Sequence, residues 1–214
     1  MSEALDNPSG AERFFETGYD PVAGGRLLFI DISVFMTLLK PCFEAIGVRK
    51  KQAAIDQLLA VADWVVLHSE RSTGRTVLAE KETLEHRHEL QTAKALTQKN
   101  YDVLFAPAGM FGRADKKFDV FLIRDHIILK ADLKCITSKN PDTIANRIKG
   151  GSEQASRLVV DIVSNIERKT LIDGLRSGVT GNAMIKEILL FYNRHFYRLS
   201  KEEIISRRIF DLLK

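Results

Sequence analysis

Lys117–Lys134, KFDVFLIRDHIILKADLK, is the stretch whose reading decides the fold. Two runs, KFDVFLI and IILKADLK, set isolated charges among large apolar residues, and Arg124, Asp125 and His126 form a short polar break between them. The pattern predicts two strands joined by a tight turn. Asp119, Asp132 and Lys134 stand out against the apolar background. Side chains alternate faces along a strand, so Asp132 and Lys134 share one. If Asp125 and His126 make a two-residue turn, Arg124 opposes Ile127, Asp119 opposes Asp132, and all three charges fall on one surface. A three-residue loop without a bulge would separate them.

Two carboxylates on neighbouring strands repel, and the cost grows as they leave water. A divalent metal removes that cost: Mg²⁺ takes one or two protein carboxylates and fills its other positions with water and phosphate oxygens. A lysine two residues on can stabilise a pentavalent phosphate or position an attacking water. The same spacing also suits a solvated hairpin face with scattered charges, and spacing alone does not separate the two.

The 214 residues are enough to bury a sizeable core, in one domain or one domain with an appendage. With 45% hydrophobic and 28% charged residues the composition is that of a globular protein rather than a disordered one. A net charge of +4 mildly favours a polyanionic partner. Cys42 and Cys135 match no zinc or redox spacing and read as reduced core residues. No apolar run is long enough to span a membrane and no signal peptide follows Met1, which fits work in the cytosol, including delivery there as part of a longer chain.

Outward from the hairpin, the first twenty or so residues read as a loose leader, broken by Asn7, Pro8, Ser9 and Gly10. RLLFIDIS and WVVLH are strand candidates, and TVLAE is a strand or a helix lead-in. SVFMTLLKPCFEAIG looks helical up to a kink or end before Pro41, and 49–63 is helical by the spacing of Ile55, Leu58, Leu59 and Ala62. From Lys81, KETLEHRHELQTAKALTQKN is a run of strong helix formers that sets Glu85, Glu89, Ala93 and Leu96 on one face. An acid on an inward helix face is unusual. YDVLFAP is a strand. Beyond the hairpin, Asp142 can cap a helix from about Thr143, with Gly150 and Gly151 interrupting it and GSEQASR continuing it. LVVDIV reads as a buried strand. The tail reads as two helices, NAMIKEILLFYNRHFYR and SKEEIISRRIFDLLK, the last with a Ser200/Glu203 capping box. The expected fold is therefore α/β: a mixed central sheet flanked by helices, with additional N-terminal and C-terminal helices. The expected division is an accessory segment over 1–75 and a main domain over 76–214.

The order of these pieces resembles the PD-(D/E)xK nuclease superfamily, and within it the C-terminal toxin domains of contact-dependent growth inhibition (CdiA-type) proteins. ELQTAKALTQKNYDVLFAP resembles the first helix and strand, KKFDVFLI the PD strand, ADLKC the (D/E)xK strand, and TIANRIKGGSEQASRLVVDI the helix and strand that follow. The likeness covers roughly residues 80 to 165. Phe118 stands where the family has Pro, and Asp132 where it often has Glu. The resemblance implies a restriction-endonuclease-like core and metal-dependent hydrolysis of phosphodiester bonds. It implies Glu89, Asp119 and Asp132 as ligands of Mg²⁺ or Mn²⁺, Lys134 on the nucleophilic water or the phosphorane, and Gln154 orienting water or a ligand. Glu85, one turn before Glu89, is the alternative helix acid. His86 and His88 point in different directions on a helix and do not chelate together easily, so they read as solvated or phosphate-contacting.

Basic residues near this set could hold a nucleic-acid backbone: Lys117 ahead of Asp119, Lys149 after the Lys134 strand, and Arg198 among the aromatics of FYNRHFYR. By the resemblance the substrate is tRNA, the partner a cognate immunity protein, and the place of action the bacterial cytoplasm. The alternatives are a DNA-cleaving nuclease of defence or repair and a catalytically silent interaction module on the same fold.

Overall fold

The computed structural model describes residues 15–20, 25–30, 64–80, 87–106, 118–124 and 127–213. The elements in chain order are β1 (Phe15–Asp20), β2 (Gly25–Ile30), β3 (Trp64–Ser69), β4 (Thr76–Glu80), α1 (Arg87–Gln98), β5 (Asp102–Phe105), β6 (Val120–Arg124), β7 (Ile127–Ile136), α2 (Pro141–Ser152), β8 (Arg157–Ile162), α3 (Arg168–Val179), β9 (Glu187–Tyr192), β10 (His195–Ser200), α4 (Lys201–Ile205) and α5 (Ile209–Leu212). β1 and β2 pair with each other, and the other strands form one eight-stranded sheet in the order β10-β9-β8-β7-β6-β5-β4-β3. Pairing is parallel at β4–β5, β7–β8 and β8–β9 and antiparallel elsewhere, which makes this a mixed α/β sheet. Each parallel pair is bridged by a helix, α1, α2 or α3, as a parallel connection requires.

Two apolar clusters coat the two faces. Ala93 and Leu96 of α1 pack with Val103, Val120, Leu133 and Val159. Ile144 and Ile148 of α2 and Leu171 and Leu175 of α3 pack with Leu158, Val160 and Leu190 on the reverse face. Alternation along β7 and β8 explains the split: Leu133 and Val159 point to α1, while Ile136, Leu158 and Val160 point to α2 and α3. The helices α2 and α3 approach closely because Gly174 and Gly178 have no side chain. A Cβ at either would stand 2.8 Å from Ile144 or Ile148 Cβ.

The central hairpin, the strands from WVVLH to YDVLFAP and LVVDIV lie where the sequence places them. Other parts differ. Residues 15–20, read as leader, pair in antiparallel register with β2, Phe15 opposite Ile30. Helix α2 is capped by Asn140, not Asp142: Asn140 Oδ1 accepts from the Asp142 and Thr143 amides, and Pro141 occupies the first helical turn, where its missing amide costs nothing. The helix runs through Gly150 and Gly151 to Ser152 and stops there, so GSEQASR is a turn rather than a continuation. The expected penultimate helix is the β9–β10 hairpin. Asn193 and Arg194 turn it with φ of 50° and 67°, the positive pair of a two-residue hairpin turn. The final helix is two short pieces, α4 and α5, with the Ser200/Glu203 capping box present at the first. Helix α3 has no counterpart in the sequence reading. Among the described residues no helix is long and apolar enough to cross a membrane. The helices expected within 33–63, and Cys42, lie outside the described residues. Cys135 is a half-buried free thiol rather than a core residue; burial pushes its pKa up, Asp161 adds to this, and Arg147 opposes it.

Candidate active site

The site forms where β7 changes partners. Ile127 to Ala131 pair with β6, and Asp132 to Ile136 pair with β8. Arg124 opposes Ile127, the register of a two-residue turn, so the ladder extrapolates to Asp119 opposite Asp132. Asp119 sits just ahead of β6 and is held from both sides: its amide donates to the Ala131 carbonyl at 3.2 Å, and its carbonyl accepts from the Ala106 amide at 2.9 Å. Its carboxylate reaches into the fork, where Oδ2 accepts from the Leu133 amide at 2.6 Å.

Asp132 is fully buried, 0% exposed. Its Oδ2 lies 2.6 Å from Lys134 Nζ. Its pKa is nonetheless raised from the ordinary 3.8 to about 7, first by burial and then by the charge of Asp119. The ion pair with Lys134 opposes the rise but does not overcome it. Burial and the neighbouring Asp119 carboxyl therefore let Asp132 keep a proton that an isolated aspartate would have lost near neutrality.

The lid on this pair is Gly151 of α2. A Cβ there would stand 2.7 Å from Asp132 Oδ2, 2.9 Å from Leu158 Cδ2 and 3.1 Å from Lys134 Cε. Its neighbour Gly150 has nothing within 4 Å. Only a residue without a side chain lets the helix lie on the acid and the lysine together.

The remaining predicted residues are placed unequally. Glu89 is half-buried in the first turn of α1, on the helix face that carries Ala93 and Leu96 into the core shared with Leu133. It therefore comes from the sheet face opposite to Gly151 and Asp132. Among the described residues no three His, Cys, Asp or Glu side chains are gathered as a metal cage. Gln154 is exposed in the turn after α2, its amide donating to the Gly151 carbonyl at 3.0 Å. Lys149 is exposed in the last turn of α2. Arg198 lies on β10, not on a helix, and is paired through Nε with Glu187, which also accepts from Arg157 Nε at 3.3 Å. The aromatic interleaving around it is partly core: Phe196 packs against Phe191 and Tyr101. His88 is exposed on α1. Lys117, Glu85 and His86 lie outside the described residues.

The sequence reading passed over two neighbours of the pair. Gly151, which reads as a helix interruption in the sequence, lies within α2. Lys130 continues the period-two row Lys130–Asp132–Lys134, a signal that the attention to Asp-x-Lys alone leaves out.

The donor set fits a hard divalent cation. Two carboxyl oxygens at hydrogen-bonding reach, one of them desolvated, are what Mg²⁺ or Mn²⁺ accepts while keeping its own waters. No protein-family model, no curated protein and no solved structure matches the chain.

Proposed function

We propose that the chain is a metal-dependent nuclease that hydrolyses phosphodiester bonds, with tRNA as substrate and Asp119, Asp132 and Lys134 as its centre. The observation that carries this reading is the buried Asp132 carboxyl, set against Asp119 and bridged to Lys134 at 2.6 Å. Two acids brought together out of water are unfavourable as a purely structural device. They become favourable when a cation joins them. The element order α1–β5–β6–β7–α2–β8 supports the reading, since it is the order that a PD-(D/E)xK core implies.

In this proposal Asp119 and Asp132 would hold Mg²⁺ or Mn²⁺, while Glu89, which the resemblance implies as a further ligand, stands on the other sheet face and takes no part. When bound, the ion supplies Lewis acidity at a phosphoryl oxygen and lowers the pKa of a bound water. The chain's own residues do the rest. The Leu133 amide fixes the Asp119 carboxylate in the fork. Lys134 presents a charge to the non-bridging oxygens that become more negative in the transition state. Gly151 lets α2 lie directly against Asp132 and Lys134. Gln154 orients the attacking water from the turn beyond Gly151. Lys117, Lys149 and Arg198 contact backbone phosphates. As a CdiA-type toxin domain the chain acts in the bacterial cytoplasm and is neutralised by a cognate immunity protein.

The test is incubation of the purified chain with total RNA and with plasmid DNA, in Mg²⁺, in Mn²⁺ and in chelator. Metal-dependent loss of tRNA with plasmid left intact is expected. Cleavage of plasmid alone would move the substrate to DNA, and cleavage of neither would remove the nuclease reading.

A further inference from the structure

Lys130 lies on the same strand face as Asp132 and Lys134, two residues before the acid, and directly opposes Phe121 of β6. Its row runs Leu78, Leu104, Phe121, Lys130 across β4 to β7, and the first three are fully buried. The row thus ends in a cation at the edge of the candidate site. The ammonium stands 5.4 Å from the centroid of the Phe118 ring, and Phe118 adjoins Asp119 and packs edge-on against Phe121. Among the described residues no carboxylate pairs with Lys130, whereas Lys134 is paired with Asp132. A half-buried lysine that is held over a ring, with no carboxylate partner among the described residues, is a cation suited to an anion beside the two acids.

We propose that Lys130 is a substrate-positioning residue that binds a backbone phosphate next to the one cleaved. Two residues of strand set it about 7 Å from Asp132, and four set it about 13 Å from Lys134. The two lysines therefore serve different phosphates: Lys134 the reacting one, Lys130 its neighbour. Phe118 fixes the direction in which the ammonium points, so the contact selects the path of the strand through the fork. This rests on the nuclease reading for the identity of the anion.

The experiment compares wild type with Lys130→Met, which keeps an unbranched stem against Phe118 and removes the charge, and with Lys130→Arg, which keeps both. Binding of tRNA is measured in chelator across a salt series, and cleavage kinetics are measured in Mg²⁺. For Lys130→Met the slope of log affinity against log salt should fall by about 0.7 to 0.9, the scale of one lost phosphate contact. KM should rise with kcat near wild type, and Lys130→Arg should restore both. Wild-type affinity and slope in Lys130→Met would overturn the proposal, even with a lowered melting temperature, because the lysine would then serve only the fold. Failure of the wild type itself to bind or cut any nucleic acid would instead remove the nuclease reading beneath it.

Discussion

Asp132 is the residue on which burial, charge and chemistry meet. Its folded-state pKa of about 7 lies above the ordinary 3.8, so the folded chain holds this proton more tightly than the unfolded chain does. Between about pH 4 and pH 7 the folded state binds more protons at this group, and its contribution to stability falls as pH rises through that window. Above pH 7 the contribution is gone, and the cost of a buried carboxylate beside Asp119 stands in full. Melting temperatures of wild type and Asp132→Asn, measured from pH 5 to pH 8, check this. The asparagine variant should gain on wild type as pH rises, because it carries no proton to lose. Mg²⁺ or Mn²⁺ at pH 8 should raise the wild-type melting temperature and leave Asp132→Asn nearly unmoved, since the ion joins the pair only in the folded state. A variant that tracks wild type across the whole range would mean that Asp132 is no more costly than a surface acid.

At the scale of elements, α2 is set by two adjacent glycines with opposite demands. Gly150 faces open space, so Gly150→Ala should stabilise by up to about 1 kcal/mol through helix propensity. Gly151→Ala drives a methyl into Asp132, Leu158 and Lys134 and should cost about 1 to 3 kcal/mol, as overpacking does. Chemical denaturation of the two variants tests the pair, and equal effects would contradict the placement of α2 over the acids. The two glycines also mark where the sequence was legible and where it was not. The central hairpin was readable because apolar alternation, a short polar break and facing charges agree on one register. Helix α2 was blurred because a glycine needed for close approach looks the same as a helix breaker. Helix α3 suffers likewise from Gly174 and Gly178, which permit its contact with α2 and dilute its helical pattern. The β9–β10 hairpin was hidden by EILLFY, a short buried apolar run that periodicity cannot divide between helix and strand. Its signal was Asn193, which tolerates positive φ, between two aromatic runs. The fork was legible as a set of residues, but the seating of Gly151 on it depends on tertiary packing that no local pattern records.

Over the whole molecule, β7 joins the β3–β6 and β8–β10 halves of the sheet, with α1 on one face and α2 and α3 on the other, and the acids sit at the seam where β7 changes partners. A substrate strand that follows the seam meets Lys130 and Lys134 on the way, and Lys149 lies on the exposed end of α2 beyond them. Lys149→Ala should therefore weaken tRNA binding modestly and lower its salt dependence, with no loss of stability, because that side chain is solvated. Arg198→Ala should do the same to binding but also loosen the β9–β10 hairpin, since among the described residues Glu187 would keep Arg157 alone. Melts and salt-dependent affinities of the two variants separate these outcomes; a binding loss without a change in melting temperature for Arg198→Ala would make the arginine a contact alone. The central claim is that Lys134 acts on charge that develops at the cleaved phosphate, and it is tested most directly by single-turnover cleavage of tRNA in Mg²⁺ by wild type and Lys134→Ala, with tRNA affinity measured on both in chelator. The account predicts a loss of about 10² to 10³ in rate, the scale of one transition-state contact, with affinity nearly unchanged. Cleavage by Lys134→Ala at the wild-type rate would contradict it.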